Sequence, residues 1–537
     1  MNRHTLLHTL WRFAHRPQAL RFRRALSHPA RTQARLLRRY LLRNASTVYG
    51  QQFGFDRIHS IADYQQRVPL VRYDALSSYI DRIRHDEAGV LTREPVRRLV
   101  PSSGSTAAAK LIPYTASLQR EFGRAIGPWV CDLLARYPRL RHGPAYWSIS
   151  PAVTPPDLSS AAPIGFDDDT DYLGGMLSRL VDALLVVPGC VRHAPSIDAL
   201  RYLTLLCLLH ARELRLISVW HPSFLTLLLS ALPTWWPRLV RDVAEGTATP
   251  PGPVEPALME AITRRWRPDP QRAAELRRLD PGRPADIWPA LTLISCWGDG
   301  WAADAQRALT ALLPNVAVQF KGLIATEAFV SLPYGQGYPL AVCSHFFEFI
   351  DDAGKPRTAE QIEPGGEYEV AVTTGGGLYR YRLGDRVRVD GRLAATPCIR
   401  FLGRADRVSD RCGEKLSEGF VTMVLERTLH HCNVRFAMLA PDDDAQPMCY
   451  TLYVEADLHV TAAALARKLD EQLQANPHYR YCRALGQLGP ARVCRVADNA
   501  QQRYLTHMAT LGQRLGDIKP TPLSSHANWR HVFTGRS

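Results

Sequence analysis

Ser102-Ser103-Gly104-Ser105-Thr106-Ala107-Ala108-Ala109-Lys110, continued by Leu111-Ile112-Pro113-Tyr114-Thr115, lies between an extended segment (Val96 to Pro101) and a helical pattern that begins near Thr115. Eight consecutive small residues carry no bulk for a core, four of them carry hydroxyls, and a lysine closes the run. Backbone N–H groups and hydroxyls in such a loop can close around a polyphosphate, with the ammonium as a point charge. Read alone, the run has a plainer alternative, a flexible surface loop. It is not the Walker-A pattern, because no Gly-Lys-Ser/Thr follows four residues after a first glycine. A phosphate loop of another class is required.

Size and charge set the frame around that loop. A chain of 537 residues is too long for one small core, so two or three domains are expected. No run of about 18 uninterrupted apolar residues is present, which argues against a membrane span. The most hydrophobic region, Tyr202 to Trp236, is broken by His210-Ala211-Arg212-Glu213-Leu214-Arg215 and by prolines, and reads as buried helix, strand and second helix. Eleven arginines stand between Arg3 and Arg43, with no acidic residue before Asp56. That could be an RNA contact or a transit peptide. Apolar residues at helical spacing through Leu37, Tyr40 and Leu41 favour a surface helix pair packed on the main domain. The net charge of +15 suits anionic small substrates such as ATP and carboxylates. Nucleic acid is not expected as a partner, since no aromatic–basic interleaving is present. Eleven scattered cysteines without a Cys-x-x-Cys pair read as idle thiols of a reducing cytoplasm, Cys296 and Cys412 included.

Of 66 basic residues only six are lysine: Lys110, Lys321, Lys355, Lys415, Lys468 and Lys519. Where arginine serves every generic need, a lysine marks a place for a compact ammonium that a guanidinium fork cannot replace. Four of the six fall inside the segments singled out here; Lys355 and Lys468 read as ordinary turn and helix-surface residues.

Along the chain, residues up to about 95 read as helices with short connections. From Leu99 to about Pro397 extended and helical segments alternate: Leu214 to Val219, Phe224 to Leu232, Leu291 to Ser295, Ala302 to Leu313, Val316 to Phe320. That alternation predicts an α/β domain with mainly parallel sheets. Pro151 to Pro163 and Thr249 to Pro256 are loops, the first long enough for a lid. Between Glu367 and Val389, short strands around Gly375-Gly376-Gly377 suggest antiparallel hairpins. Beyond Gly403 the texture becomes a small α+β domain, with strands at Val434 to Leu439, Cys449 to Val454 and Ala491 to Val496 and a helix at Ala462 to Leu473.

Four further segments carry chemistry. Lys321-Gly322-Leu323-Ile324-Ala325-Thr326-Glu327 follows a strand, and its hydroxyl and carboxylate suit a magnesium ion and a phosphate; a helix N-cap at Thr326 is the structural alternative. Gly377-Leu378-Tyr379-Arg380-Tyr381-Arg382-Leu383-Gly384-Asp385 presents an aspartate after a strand, suited to paired ribose hydroxyls or to a structural Asx turn. Gly403-Arg404-Ala405-Asp406, followed by Gly413-Glu414-Lys415-Leu416-Ser417-Glu418, fits a hinge. Gly512 to Pro520 is a turn-rich loop whose Lys519 is either a ligand-reaching ammonium or a surface charge.

In this order the segments resemble the adenylate-forming superfamily of acyl and aryl acid ligases, the firefly luciferase-like fold. Within it the chain looks like the Gretchen Hagen acyl-acid amido synthetases, the auxin-responsive family, in a bacterial-type version. Also similar are Val68-Pro69-Leu70-Val71-Arg72-Tyr73, Tyr79 to Ile83, and Trp220-His221-Pro222-Ser223-Phe224-Leu225. The resemblance implies an α/β fold: a large N-terminal domain over 1–402 with mixed sheets flanked by helices, and a small mobile α+β domain over 403–537 hinged near 403–406. It implies two steps, formation of an acyl-adenylate from a carboxylic acid and Mg-ATP, then attack by the amine of an amino acid. Ser102, Ser103, Gly104, Ser105, Thr106, Lys110 and Gly298 would contact ATP. Thr326 and Glu327 would serve catalysis, with Glu327 on Mg²⁺. Asp385 would take the ribose, Arg404 the nucleotide, Asp406 the hinge, and Lys519 would assist adenylation. A cytoplasmic monomer is implied. Rivals within the fold are a ligase that passes the acyl group to coenzyme A or another thiol, and a catalytically silent ATP-binding scaffold. Two departures stand out. Leu323 occupies the place of the aromatic residue that often stacks on adenine, and Ala107-Ala108-Ala109 replaces a more polar loop centre.

Overall fold

The computed structural model describes residues 3–102, 110–148, 163, 175–220, 222–298, 307, 309–404, 408–412, 414–458, 460–484, 486–511, 513, 518–524, 526–527 and 529–534. The chain divides into two units: residues 1–297, 309–383 and 387–400 form the first, residues 298–308, 384–386 and 401–537 the second.

In the first unit the arginine-rich start is a helix pair, α1 (Arg3–Ala25) and α2 (Pro29–Asn44). The arginines point outward while Trp11, Phe22, Leu36, Leu37, Tyr40 and Leu41 are buried, at the spacing an amphipathic helix requires. Gln33 ties α2 to the chain around His345. Its amide N–H groups donate to Val342 and His345 carbonyls at 2.9 and 2.7 Å, and its oxygen accepts from Phe347 N–H at 2.8 Å. The expected helix pair packed on the main body is found.

Two strands flank the small-residue loop: β1 (Arg98–Ser102) pairs antiparallel with β2 (Lys110–Tyr114), Ser102 opposite Lys110. Thr115 then caps the helix Ala116–Arg136 by accepting from Leu118 N–H. Next come β3 (Ala145–Trp147), β4 (Leu216–Ser218), β5 (Leu293–Cys296) and β6 (Ala317–Phe320), a sheet in the order β3-β4-β5-β6 with every pair parallel. One face carries Tyr146, Ile217, Val219, Ile294 and Cys296 and packs into a core with the leucine-rich helix Ile197–His210.

The expectation of mainly parallel sheets holds only there. The second sheet has the order β11-β10-β9-β7-β8, from β7 (Phe346–Ile350), β8 (Pro356–Arg357), β9 (Glu367–Thr373), β10 (Tyr381–Leu393) and β11 (Thr396–Arg404). In it β7 runs antiparallel to both β8 and β9. The connection from β7 to β8 is a turn closed between Asp351 and Lys355, too short for the crossover a parallel pair needs.

Two of the segments quoted above meet at this sheet. Val71 N–H donates to Arg380 O, and Arg382 N–H donates back to Val71 O, at 3.1 and 2.8 Å. Arg380 is buried, and its guanidinium forks onto Glu348 at 2.9 and 3.0 Å. The remaining nitrogen donates to the Gln65 and Val68 carbonyls at 2.8 and 2.6 Å. Tyr379 stacks on Tyr49, ring centroids 5.2 Å apart, and donates to Leu91 O at 2.9 Å. The alternating aromatics and arginines of residues 379–382 are thus an anchor for the N-terminal helices.

The second unit contains β12 (Val408–Ser409) paired antiparallel with β13 (Leu416–Ser417), and a sheet β14-β15-β16 of β14 (Asn433–Asp442), β15 (Cys449–Asp457) and β16 (Arg492–Arg495). β14 and β15 are antiparallel, β15 and β16 parallel. The parallel step is bridged by the helix Ala462–Leu473, which spans the residues expected and buries Leu465, Leu469 and Leu473 along one stripe. The expected lid, 151–163, lies outside the described residues save Pro163, as do residues 302–306 and 308 of the expected helix 302–313.

Two outcomes are expected. Replacing Arg380 by methionine leaves Glu348 buried without its partner and should lower the unfolding free energy by about 3–5 kcal/mol. Denaturant unfolding measures this, and the double variant Arg380→Met/Glu348→Leu should recover part of the loss. Burial pushes the imidazoles of His8 and His15 on α1 down to about 4, for His8 against the pull of its bond to Gly143 O. Both are therefore neutral in the fold but protonated in the unfolded chain below about pH 6.5. Stability present above that pH is lost as pH falls toward 4, on the order of 2 kcal/mol per histidine by pH 5. A thermal-unfolding pH series should show a shallower slope for His15→Leu than for the parent.

Candidate active site

The carboxyl ends of β4, β5 and β6 bring chemistry to one edge of the parallel sheet, where ligands of open α/β sheets bind. Lys321 directly follows β6, buried, its N–H donating to Cys296 O at 2.8 Å. Its ammonium donates to Ser218 Oγ at 2.9 Å and lies 4.9 Å from the centre of the Trp220 ring. Gly322 must be glycine: a Cβ there would stand 2.2 Å from Ser331 O. That close approach lets Leu323 N–H reach Ser331 Oγ at 2.9 Å while Leu323 O accepts from Val330 at 2.9 Å.

The result is a tight turn. Ala325 N–H donates to Ala328 O at 2.9 Å and Ala328 N–H returns to Ala325 O at 3.3 Å, with Thr326 and Glu327 at the tip, both half-buried. The N-cap alternative for Thr326 is thereby overturned, because no helix follows and the chain turns back at Phe329. Phe329 N–H in turn donates to His345 Nε2 at 3.0 Å, so His345 carries its proton on Nδ1 and donates it to buried Glu121 at 3.1 Å. Glu121 also accepts from Gly375 N–H at 2.9 Å. A Glu–His pair from two distant segments thus fixes the backbone two residues beyond Glu327.

Ser102 closes β1 and Lys110 opens β2, half-buried. Ser103, Gly104, Ser105 and Thr106 lie outside the described residues, as does Asp406. Gly298 is placed just past β5, half-buried.

In the second unit, Gly384 adopts φ +78°, a conformation glycine tolerates, and presents buried Asp385. Arg404 Nη1 donates to Asp385 Oδ1 at 3.2 Å, so the expected ribose ligand and nucleotide ligand are ion-paired with each other. The Arg404 backbone N–H donates to Glu418 Oε2 at 3.0 Å, and the other oxygen of Glu418 accepts from Thr521 Oγ1 at 2.7 Å. Thr521 stands two residues after Lys519, whose carbonyl accepts from Tyr504 at 3.3 Å. A polar chain Asp385–Arg404–Glu418–Thr521 therefore joins two of the segments singled out in the sequence and the residue that follows the third, Gly512 to Pro520. Thr521 is its unforeseen member, and Glu418, quoted in the sequence only as the end of the hinge segment, is given a partner set; the Ser417 N-cap beside it was the available signal.

Neither Cys296 nor Cys412 is set up as a nucleophile. Burial pushes the Cys296 thiol up to about 12, against the pull of Lys321, and burial together with Glu414 raises Cys412. Cys412, Glu414 and Cys482 hold possible ligand atoms within 4.8 Å of one another. The Glu414 carboxylate, however, already accepts from the Arg411 and Cys412 N–H groups, each at 2.8 Å, and from Tyr450. That cluster is a closed structural knot.

Comparison with known proteins gives the fold its class. The structure superposes on the GH3.15 acyl acid amido synthetase with a TM-score of 0.82 at 20% identity, covering 96% of this chain and 94% of that one. It also matches 2-hydroxyisobutyryl-CoA ligase in the postadenylation state, with a TM-score of 0.50 at 14% identity over 95% and 93%. The fold is that of the adenylate-forming enzymes. Models of the GH3 family N-terminal, central and C-terminal domains match residues 18–318, 338–404 and 420–528, and the chain belongs to the GH3 family. Among curated relatives, the indole-3-acetic acid-amido synthetase GH3.8 of Oryza sativa subsp. indica is 25% identical over 91% of this chain and 87% of its own length. The jasmonoyl–L-amino acid synthetase JAR6 of Nicotiana attenuata is 25% identical over 70% and 69%. The expected α/β fold with mixed sheets and a separate α+β unit is the one found, and among the described residues no helix is long and apolar enough to cross a membrane.

Removing Glu418 takes the carboxylate acceptor from the Arg404 N–H and leaves the Thr521 hydroxyl only the Leu523 carbonyl. Glu418→Ala should therefore destabilise the C-terminal unit by about 1–3 kcal/mol, and Thr521→Val by less. Hydrogen exchange of β13 and the helix Glu418–Thr428 would register the difference.

Proposed function

We propose that the protein is an ATP-dependent acyl-acid amido synthetase. A carboxylate oxygen attacks the α-phosphorus of ATP, the bond to the bridging oxygen breaks, and pyrophosphate leaves. The amine nitrogen of an amino acid then attacks the acyl carbon of the adenylate, loses its proton, and AMP departs. The observation that carries this reading is the Thr326–Glu327 turn, held rigid at the carboxyl edge of a parallel sheet within a chain of this family.

Each side chain has a defined task in the reading. The loop from Ser102 to Lys110, with Gly298, holds the phosphates, and Asp385 and Arg404 hold ribose and nucleotide. One carboxylate beside one hydroxyl fits magnesium, which keeps several waters and takes few protein ligands; Glu327 would hold it, with Thr326 beside it. When bound, the ion neutralises phosphate charge, so the protein supplies positioning more than covalent chemistry. Asp385 must exchange its Arg404 partner for the ribose hydroxyls, which makes Arg404, with Asp406, the hinge element of the reading. Lys519 stabilises charge developing during adenylation. The buried Glu121–His345 pair keeps the turn from relaxing. The enzyme works as a cytoplasmic monomer.

A charge-assisted contact of the kind assigned to Lys519 contributes about 1.5–3 kcal/mol, or roughly ten- to a hundredfold in rate. Lys519→Ala should depress adenylate formation by that factor while leaving use of a preformed acyl-adenylate nearly intact; equal loss in both steps refutes the role. The test of the function itself is hydroxylamine trapping with ATP across a panel of carboxylic acids, then amino-acid acceptors on the hits. An amide product made without any thiol upholds the reading, product only with coenzyme A replaces it by the thiol ligase, and no product with any acid overturns it.

A further inference from the structure

Register partners on adjacent parallel strands send their side chains to the same face. Trp147 pairs with Ser218, Ser218 with Ser295, and Ser295 with Gln319, so these four share one face of the parallel sheet. The opposite face carries Tyr146, Ile217, Ile294 and Cys296, buried in the leucine-rich core. Two residues further along their strands, on the face that carries Ser218 and Gln319, stand Trp220 and Lys321. The face is therefore not apolar: aromatic rings alternate with hydrogen-bonding groups.

Two of those groups have no partner. Ser295 Oγ and Gln319 Nε2 make no hydrogen bond, although Ser295 is fully buried and Gln319 is 7% exposed. Gln319 is not idle at its other end: Trp129 Nε1 from the helix Ala116–Arg136 donates to its Oε1 at 3.0 Å, which fixes the amide with its N–H₂ unused. Buried polar groups are nearly always satisfied, by protein, ordered water or ligand, so two unsatisfied ones side by side mark a place for an acceptor atom. Beside them the Lys321 ammonium adds positive charge, steadied by Ser218 and lying against Trp220. An amide N–H₂, a hydroxyl and an ammonium are all donors.

We infer that this face receives the acyl body of the substrate, and that the acid activated here bears a second carboxylate, remote from the reacting one, read by Lys321, Gln319 and Ser295. The inference rests on the amido synthetase reading and specifies its substrate as a dicarboxylic acid, the tryptophans lining the stem between the two acid groups. Lys321 and Gln319 would then be specificity-determining residues. A site built to donate hydrogen bonds to a group discriminates strongly against the analogue that lacks it, because its own donors are left unpaired.

The test uses the full-length protein and pyrophosphate exchange into ATP, with matched acids: adipate, its monomethyl ester and hexanoate; 4-carboxyphenylacetate and phenylacetate. The expected result is a kcat/KM at least about tenfold higher for a diacid than for its hydrocarbon match. The ester should fall below adipate. A hydrocarbon acid used as well as its diacid, or an ester equal to adipate, overturns the inference while leaving the ligase reading standing. Exchange with no acid at all overturns both. In Lys321→Met and, separately, Gln319→Leu, the diacid-to-monoacid ratio should collapse toward one; equal loss for both acids would mark these side chains as merely structural. The comparison of acids in the parent protein decides the matter even where a variant fails to fold.

Discussion

The first unit depends on one buried ion pair. Arg380 is placed with φ +48°, in the left-handed region where a side chain other than glycine is strained, and its guanidinium is enclosed by Glu348 and two carbonyls. A buried pair gains little over a well-packed apolar replacement, since desolvation offsets most of the Coulomb attraction. Its contribution is specificity of geometry. Gln65, Val68 and Val71 come from the helical start of the chain, Glu348 from β7 and Arg380 from the approach to β10. Three separate stretches must arrive together before the guanidinium is satisfied. Thr373 extends the set, accepting from Arg380 N–H at 3.1 Å and meeting Tyr64 Oη at 2.8 Å.

That constraint explains why chemistry and architecture are interleaved in one short segment. Tyr379, Arg380 and Tyr381 are buried anchors, and the strand they fix continues through Arg382 to Gly384 and Asp385. Arg382 itself pairs with Glu369, which also meets Arg72 at 3.6 Å. An aspartate offered to a ligand needs a backbone that does not yield, and here the rigidity comes from the residues immediately before it. The same logic operates at Glu327, where Glu121 and His345 hold the far end of the turn and Gly322 admits Ser331 at the near end.

How much of this could be read in the chain follows from how local each signal is. The helix Ala462–Leu473 was legible to the residue, because a 3.6-residue stripe and a threonine cap are written within its own span. The strands β4, β5 and β6 were legible as apolar runs. Their polar face was not: Ser218, Ser295 and Gln319 become neighbours only once the register aligns three segments far apart in sequence. The N-cap alternative at Thr326 had the right residue types for a helix start. What decided against it was Ser331, whose hydroxyl takes Leu323 N–H and folds the chain back. Glu418 is a similar case, because its partners lie 14 and 103 residues away. The antiparallel half of the fold was visible at the Gly375–Gly377 turn but hidden at β7, where the deciding feature is a five-residue connection among aromatic residues that read equally well as a parallel strand.

The scarcity of lysine gains a physical reason at position 321. An arginine there would bring a wide planar fork with five N–H donors to a place where a serine hydroxyl and an indole face receive the side chain. A tetrahedral ammonium on a thin stem can be buried against both. Burying it costs desolvation, and Ser218 and Trp220 offset part of that cost. A sequence that reaches for arginine sixty times and accepts lysine at this strand end is therefore spending stability on a compact positive charge. The neighbouring unsatisfied donors of Ser295 and Gln319 incur the same penalty on the same face. Two unsatisfied donors beside a buried ammonium on one sheet face are hard to reconcile with packing alone, and a single acceptor-bearing group relieves both.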